Sequence, residues 1–124
     1  MLSFREFLNE TSGTTRTTVK PKNKIELMKI IKDTIKKEGN NCDLNFIDTS
    51  LIDDMSKLFR ESKFNGDISK WNTSKVENMS FMFSGSVFDG NISKWNTSNV
   101  KDMHEMFYDS PLEGHEPDWY DLIY

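Results

Sequence analysis

The sequence predicts a small α/β protein: a short right-handed solenoid of 24-residue turns, each a short strand plus a short helix, with a capping helix at its N-terminal end. Two observations carry this expectation. The segment FNGDISKWNTSKVENMSFMF, residues 64–83, returns as FDGNISKWNTSNVKDMHEMF, residues 88–107, with thirteen of twenty positions identical. The same period reaches backwards without a gap. Ile68, Trp71, Val76, Met79, Met82 and Phe83 project onto Leu44, Ile47, Ile52, Met55, Leu58 and Phe59, all apolar. A unit of this length cannot bury its own apolar face, whereas stacked copies share one continuous core.

A period of 24 lies in the leucine-rich-repeat range and is too short for paired-helix repeats. In order along the chain, residues 1–10 read as an amphipathic leader helix and 11–22 as a Thr-rich linker. Residues 23–124 then form one domain. Within it, 23–39 is the capping helix, with Asn23 as N-cap, Glu26 completing a capping box and Gly39 ending it. Leu27, Met28, Ile31 and Ile35 share its apolar face. The turns occupy 40–63, 64–87 and 88–111. In each, the first half around Asp67-Ile68-Ser69 reads as a very short strand. The second half reads as a helix, because Val76, Met79, Met82 and Phe83 make one helical stripe behind a Ser74–Glu77 capping box. Residues 112–124 form a C-terminal cap: Trp119 keeps the register of Trp95, while Glu116-Pro117 breaks the fourth turn.

The polar positions repeat as well. Asn65, Asp67, Asp89 and Asn91 surround Gly66 and Gly90, a pattern that invites a calcium reading. Calcium needs more oxygen ligands than this, so turn chemistry is the better account: Asx side chains on backbone groups, with the glycines supplying permissive dihedrals. Cys42, in the glycine register, reads as a small, partly buried structural thiol, and as the only cysteine it permits no internal disulfide.

The net charge of −4 divides unevenly, +4 over residues 1–39 (nine basic, five acidic) and −8 over 40–124 (seven basic, fifteen acidic). That distribution speaks against nucleic-acid binding. No apolar run is long enough for a membrane span, and Arg5, Glu6 and Glu10 interrupt any signal-peptide core, so a location inside a cell or a virion is expected. His104 and His115 stand in no catalytic spacing, and there is no phosphate-binding loop or nucleophile motif. A non-enzymatic protein without a cofactor or metal is expected. Its contact residues should lie where the repeats diverge, at Phe46/Lys70/Lys94, Leu51/Lys75/Asn99, Lys57/Phe81/Glu105 and Arg60/Ser84/Tyr108. Phe81, placed away from the core by helical geometry, leads a candidate set with Lys70, Lys94, His104, Glu105 and Tyr108.

The repeat F-N-x-D-I-S-x-W-N-T-S-x-V-x-x-M-x-x-M-F resembles that of BspA-like leucine-rich-repeat proteins, over about residues 40–107. The lead-in from Pro21 resembles the helix that opens such arrays. The resemblance implies a recognition scaffold whose motif residues are structural. It also implies adhesion or host contact, a second reading, as a surface adhesin. The decapeptide MLSFREFLNE resembles capsid-targeting leaders of T-even bacteriophage internal head proteins, with Leu8-Asn9-Glu10 matching their cleavage pattern and Glu10 as the processing site. That likeness implies a packaged, phage-encoded protein that binds and inhibits or redirects a host defence protein. A third reading is an acidic decoy of a nucleic-acid-binding enzyme, carried by Asp53, Asp54, Glu77 and Asp102.

Overall fold

A computed structural model describes residues 17–120 of the chain. The leader reading and the Glu10 processing site lie outside the described residues, as do residues 121–124 of the expected cap.

Helix α1 spans Lys24–Glu38. Asn23 Oδ1 accepts from Glu26 N at 3.0 Å, and the Gly39 N–H donates to the Ile35 carbonyl at 2.7 Å. The Glu26 carboxylate reaches one residue further than a capping box requires and accepts from Lys22 N at 3.2 Å. Leu27, Ile31 and Thr34 are the buried residues of the helix. Met28, expected on the same face, is 47% exposed. Thr34 is accommodated because its hydroxyl donates back to the Ile30 carbonyl at 2.7 Å.

After α1 the expected architecture fails. Among the described residues there is no second helix and no strand, so the strand-plus-helix solenoid of leucine-rich-repeat type is overturned. Where strands were expected, the chain makes only an isolated parallel bridge, Asp43 with Asp67; two more, Asp54 with Asn78 and Asn78 with Asp102, fall in the halves expected to be helical. A strand cannot grow from Asp67, because its carboxylate immediately folds the chain, accepting from Ser69 N at 2.9 Å.

Where helices were expected, the backbone turns left-handed twice per repeat. Lys57, Phe81 and Glu105 have φ of 59°, 56° and 55°; Glu61, Gly85 and Asp109 have 56°, 70° and 54°. No helix tolerates such residues. Each is the third residue of a four-residue turn, and in the middle repeat Met82 N donates to Met79 O and Ser86 N to Phe83 O at 3.2 and 3.0 Å. Two successive turns of this kind place Met79, Met82 and Phe83 on one side, the same spacing a helix would give. Ser74 caps no helix: its N–H and hydroxyl both donate to Asn72 Oδ1, at 3.0 and 2.6 Å.

The 24-residue register is nonetheless spatial. Phe83 lies over Phe59 at 5.7 Å and under Phe107 at 5.8 Å, with interplanar angles of 5° and 1°. Trp71, Trp95 and Trp119 stack at 6.4 and 6.3 Å. Each indole donates to a carbonyl 27 residues earlier, Leu44, Ile68 and Ile92 respectively. Thr49 and Thr73 hydroxyls reach the Asn72 and Asn96 carbonyls in the following layer, both at 2.8 Å. Backbone donors complete the stack, as Phe59 N to Met82 O at 2.8 Å and Phe83 N to Met106 O at 2.9 Å. The chain thus meets its backbone hydrogen bonds between layers, which is why the layers need neither strands nor helices.

Leu27 and Ile31 of α1 belong to the same buried cluster as the first layer. Val19, within the stretch read as linker, pairs with that layer too: Val19 N donates to Phe46 O and Asp48 N to Val19 O, at 3.1 and 2.7 Å.

Within a layer, three Asx positions hold the corners. Asp67, Asn72 and Asn78 accept from the backbone N–H two residues on, at 2.9, 3.0 and 2.9 Å. The Asp67 carboxyl is held below its usual 3.8 by a side-chain hydrogen bond from Asn45, then by the backbone and hydroxyl of Ser69. A carboxyl whose folded pKa is depressed stabilises the fold above its ordinary pKa. That contribution is lost as pH falls through the lower, folded value. Asp67→Asn keeps the accepting oxygen, as Asn91 does one layer on. It should leave neutral-pH stability within about 0.5 kcal/mol and make the loss of stability below about pH 4 shallower. Urea midpoints measured across that range check this; an unchanged slope would refute the assignment.

Candidate partner-binding face

The first of the two left-handed turns in each layer projects a side chain at its positive-φ position. In the middle layer this is Phe81. It is half-buried, not the free-standing aromatic that helical geometry predicts. The Arg60 guanidinium sits over its ring at 5.5 Å, and the His104 ring meets it edge-on at 5.4 Å. Arg60 and His104 come from the layers before and after, so three layers build one small cluster of cation, ring and imidazole. Tyr108, 56% exposed, belongs to the same segment of the last layer as His104 and Glu105.

Of the residues singled out from sequence, Phe81 and His104 are therefore in contact, with Glu105 and Tyr108 beside His104 in the chain. Lys70 and Lys94 are exposed but belong to the opposite half of their repeats, next to the Asp67 and Asn91 turns. Lys70 N is fixed by Asn45 Oδ1 at 2.9 Å. Their column partner Phe46 is partly buried against the core, so this column is not one surface. His115 is exposed and Cys42 is buried.

Two features were missed. Arg60 precedes Phe81 by 21 residues, one repeat less three, and contact at that offset follows only once the positive-φ turns are known. Tyr120 is the second. Its ring meets Phe107 edge-on at 5.0 Å. Its hydroxyl is pushed above its usual pKa by burial, then by Glu116, Glu105 and Glu113, so those carboxylates gather around it.

A separate open groove of about 440 Å³ is lined by equivalent residues of three layers, Leu51, Lys75 and Asn99 with Asp53, Glu77 and Lys101. Lys101 Nζ and Glu77 Oε1 are 2.9 Å apart across it. Among the described residues no helix is long and apolar enough to cross a membrane, and no three His, Cys, Asp or Glu side chains stand where they would hold a metal ion.

Turn-built layers in 24-residue register, with stacked rings inside and divergent side chains outside, define a repeat protein. Residues 26–117 match a family described as Mycoplasma protein of unknown function, DUF285, and the chain belongs to that family. No curated protein and no solved structure matches it.

Proposed function

We propose that the chain is a non-enzymatic module that binds another protein through the face formed by Arg60, Phe81, His104 and Tyr108. The observation that carries this reading is the three-layer cluster. The inner columns repeat ring over ring, while the column of positive-φ positions changes from Lys57 to Phe81 to Glu105, and the exposed Arg60 and Tyr108 stand in register with a buried Ser84. A framework held constant beneath a varied surface is how repeat proteins present a recognition site. A partly buried aromatic beside an arginine and an exposed tyrosine has the composition of an interface anchor. The likeness of the repeat to BspA-like proteins, which act in contact and adhesion, supports the same reading. The acidic-decoy reading has less behind it, since Asp54 and Glu77 each lie beside a lysine, Lys24 at 3.7 Å and Lys101 at 2.9 Å.

The test is a photo-crosslinking side chain at position 57, the exposed equivalent of Phe81 one layer earlier, in cells of the source or its host. A specific partner should be trapped, and Phe81→Ala or Tyr108→Ala should weaken its binding by about thirtyfold, the effect of losing a 2 kcal/mol anchor. Because the side chains are partly exposed, both variants should keep the parent urea midpoint to within about 1 kcal/mol. A partner bound equally well by the double variant would exclude this face, and substrate turnover would exclude the non-enzymatic reading.

A further inference from the structure

Helix α1 covers the first layer with only part of its apolar surface. Leu27 and Ile31 are sealed, but Met28 and Ile25 are 47% and 79% exposed. Ile25, Met28, Lys32 and Ile35 follow one another at steps of three, four and three, one stripe along the flank of the helix. Beside that stripe runs an open groove of about 590 Å³, between the helix and the last turns of the first layer. The buried Ile31 and Phe59 form its floor; Met28, Ile35 and Leu58 form its sides. Lys29 and Lys32 stand at its mouth. A groove of this size and apolar lining suits one face of a short amphipathic helix.

The chain itself carries a matching segment, N-terminal to the described residues. Phe4, Phe7 and Leu8 fall at i, i+3 and i+4, the anchor spacing of a helix laid in a groove. The charges match as well. Residues 1–10 carry one basic and two acidic side chains, while α1 carries five lysines and three acids. Lys29 engages Asp33 at 3.6 Å, whereas the exposed Lys32 has no ion pair among the described residues, which leaves it for a carboxylate of the segment, Glu6 or Glu10.

The tether is long enough. Val19 is bonded to Phe46 and Asp48 of the first layer, the layer that also supplies Leu58 and Phe59. Eleven residues lead from Leu8 to Val19 and span up to about 36 Å, against about 22 Å for the whole of α1. Such a tether holds the segment at an effective concentration on the order of 1 mM, which a helix of another protein would have to exceed. The groove of a second copy fits less well, because it would set a second pair of lysines against Lys29 and Lys32.

We propose that residues 2–8 dock as an amphipathic helix into the groove between α1 and the first layer, with Phe4, Phe7 and Leu8 against Met28, Ile35 and Leu58. The docked segment completes the N-terminal cap that α1 leaves half-finished. The inference goes beyond the partner-binding face and does not depend on it, since the two use different side chains.

NMR on the full chain is the test. Nuclear Overhauser contacts are expected from the Phe4 and Phe7 rings to the methyl groups of Met28, Ile35 and Leu58. Phe4→Ser with Phe7→Ser should remove them. It should also speed oxidation of Met28 to the sulfoxide by hydrogen peroxide about tenfold, the ratio for a groove whose ligand stands at ten times its dissociation constant. The methyl signals of Leu51, exposed in the other groove, should not move. Met28→Glu, at an exposed position, should abolish the contacts to Ile35 and Leu58 while the Trp71 and Trp95 signals show the stack intact. In a mixture of isotope-labelled and unlabelled chains the contacts should stay within one copy. No ring-to-groove contacts in the parent chain, contacts that survive Met28→Glu, Met28 oxidation unchanged by the double variant, or contacts that arise only between copies would each overturn the proposal.

Discussion

Replacing Phe83 by alanine is expected to cost about 4 kcal/mol of folding stability, the upper part of the range for deleting a buried aromatic. The ring is fully buried and lies at the crossing of two columns. Along the stack it meets Phe59 and Phe107; across its own layer it meets Phe88 at 4.7 Å and Trp95 at 6.3 Å. Among the described residues no other ring touches so many partners, and none of those partners can collapse into the space without leaving its own column. Urea unfolding followed by tryptophan emission reads the result, because Trp95 adjoins the cavity. Phe81→Ala, one turn away and half-exposed, serves as the comparison and should cost under about 1 kcal/mol. Equal losses at the two positions would mean that Phe83 is not a junction.

Gly66→Ala is expected to be nearly as damaging, at about 3 kcal/mol, and for a reason invisible in the dihedrals. Gly66 has no positive φ; what it lacks is room. A Cβ built there would stand 1.8 Å from the Cys42 carbonyl oxygen, the acceptor of the Asp67 N–H bond at 3.2 Å. The obstacle is backbone of the preceding layer, so relief requires breaking the layer contact itself. At Gly90 the nearest atom is the Phe88 ring at 2.5 Å, which can tilt, so Gly90→Ala should cost less by about 1 kcal/mol or more. Thermal midpoints of the two variants, side by side, decide the point; a milder effect at Gly66 would contradict it.

The column structure was legible from the primary sequence because ring stacking and apolar burial act at fixed offsets. Trp71 and Trp95, Phe59 and Phe83, and even the isolated Trp119 sit where a 24-residue projection puts them. The secondary structure was not. Apolar residues at Met79, Met82 and Phe83 satisfy both a helix and a pair of left-handed turns, and spacing alone cannot separate these. Gly85 was the available clue, but Glu61 and Asp109 take the same conformation without glycine, which masks it. The candidate site inherited that error. Phe81 was singled out by a helical angle and proves to be half-covered by neighbours from two other layers, and the Arg60 contact could not be foreseen from a wrong backbone. Gly66 was read as a dihedral requirement and is one of clearance. Val19 was read as spacer because nothing in a threonine-rich stretch advertises a partner, yet the chain there pairs with the first layer.

Every indole in the stack is latched to a carbonyl 27 positions upstream, three more than the repeat itself. The latch therefore always crosses a boundary between units, so no unit is closed on its own. A duplicated block of residues 64–87 would arrive carrying one indole and one carbonyl, and both seams would seal with parts already present. Elongation by whole units is thus built into the wiring, while gain or loss of a fractional unit would leave a seam open. Such a chain can drift in copy number far more readily than in the length of any single copy.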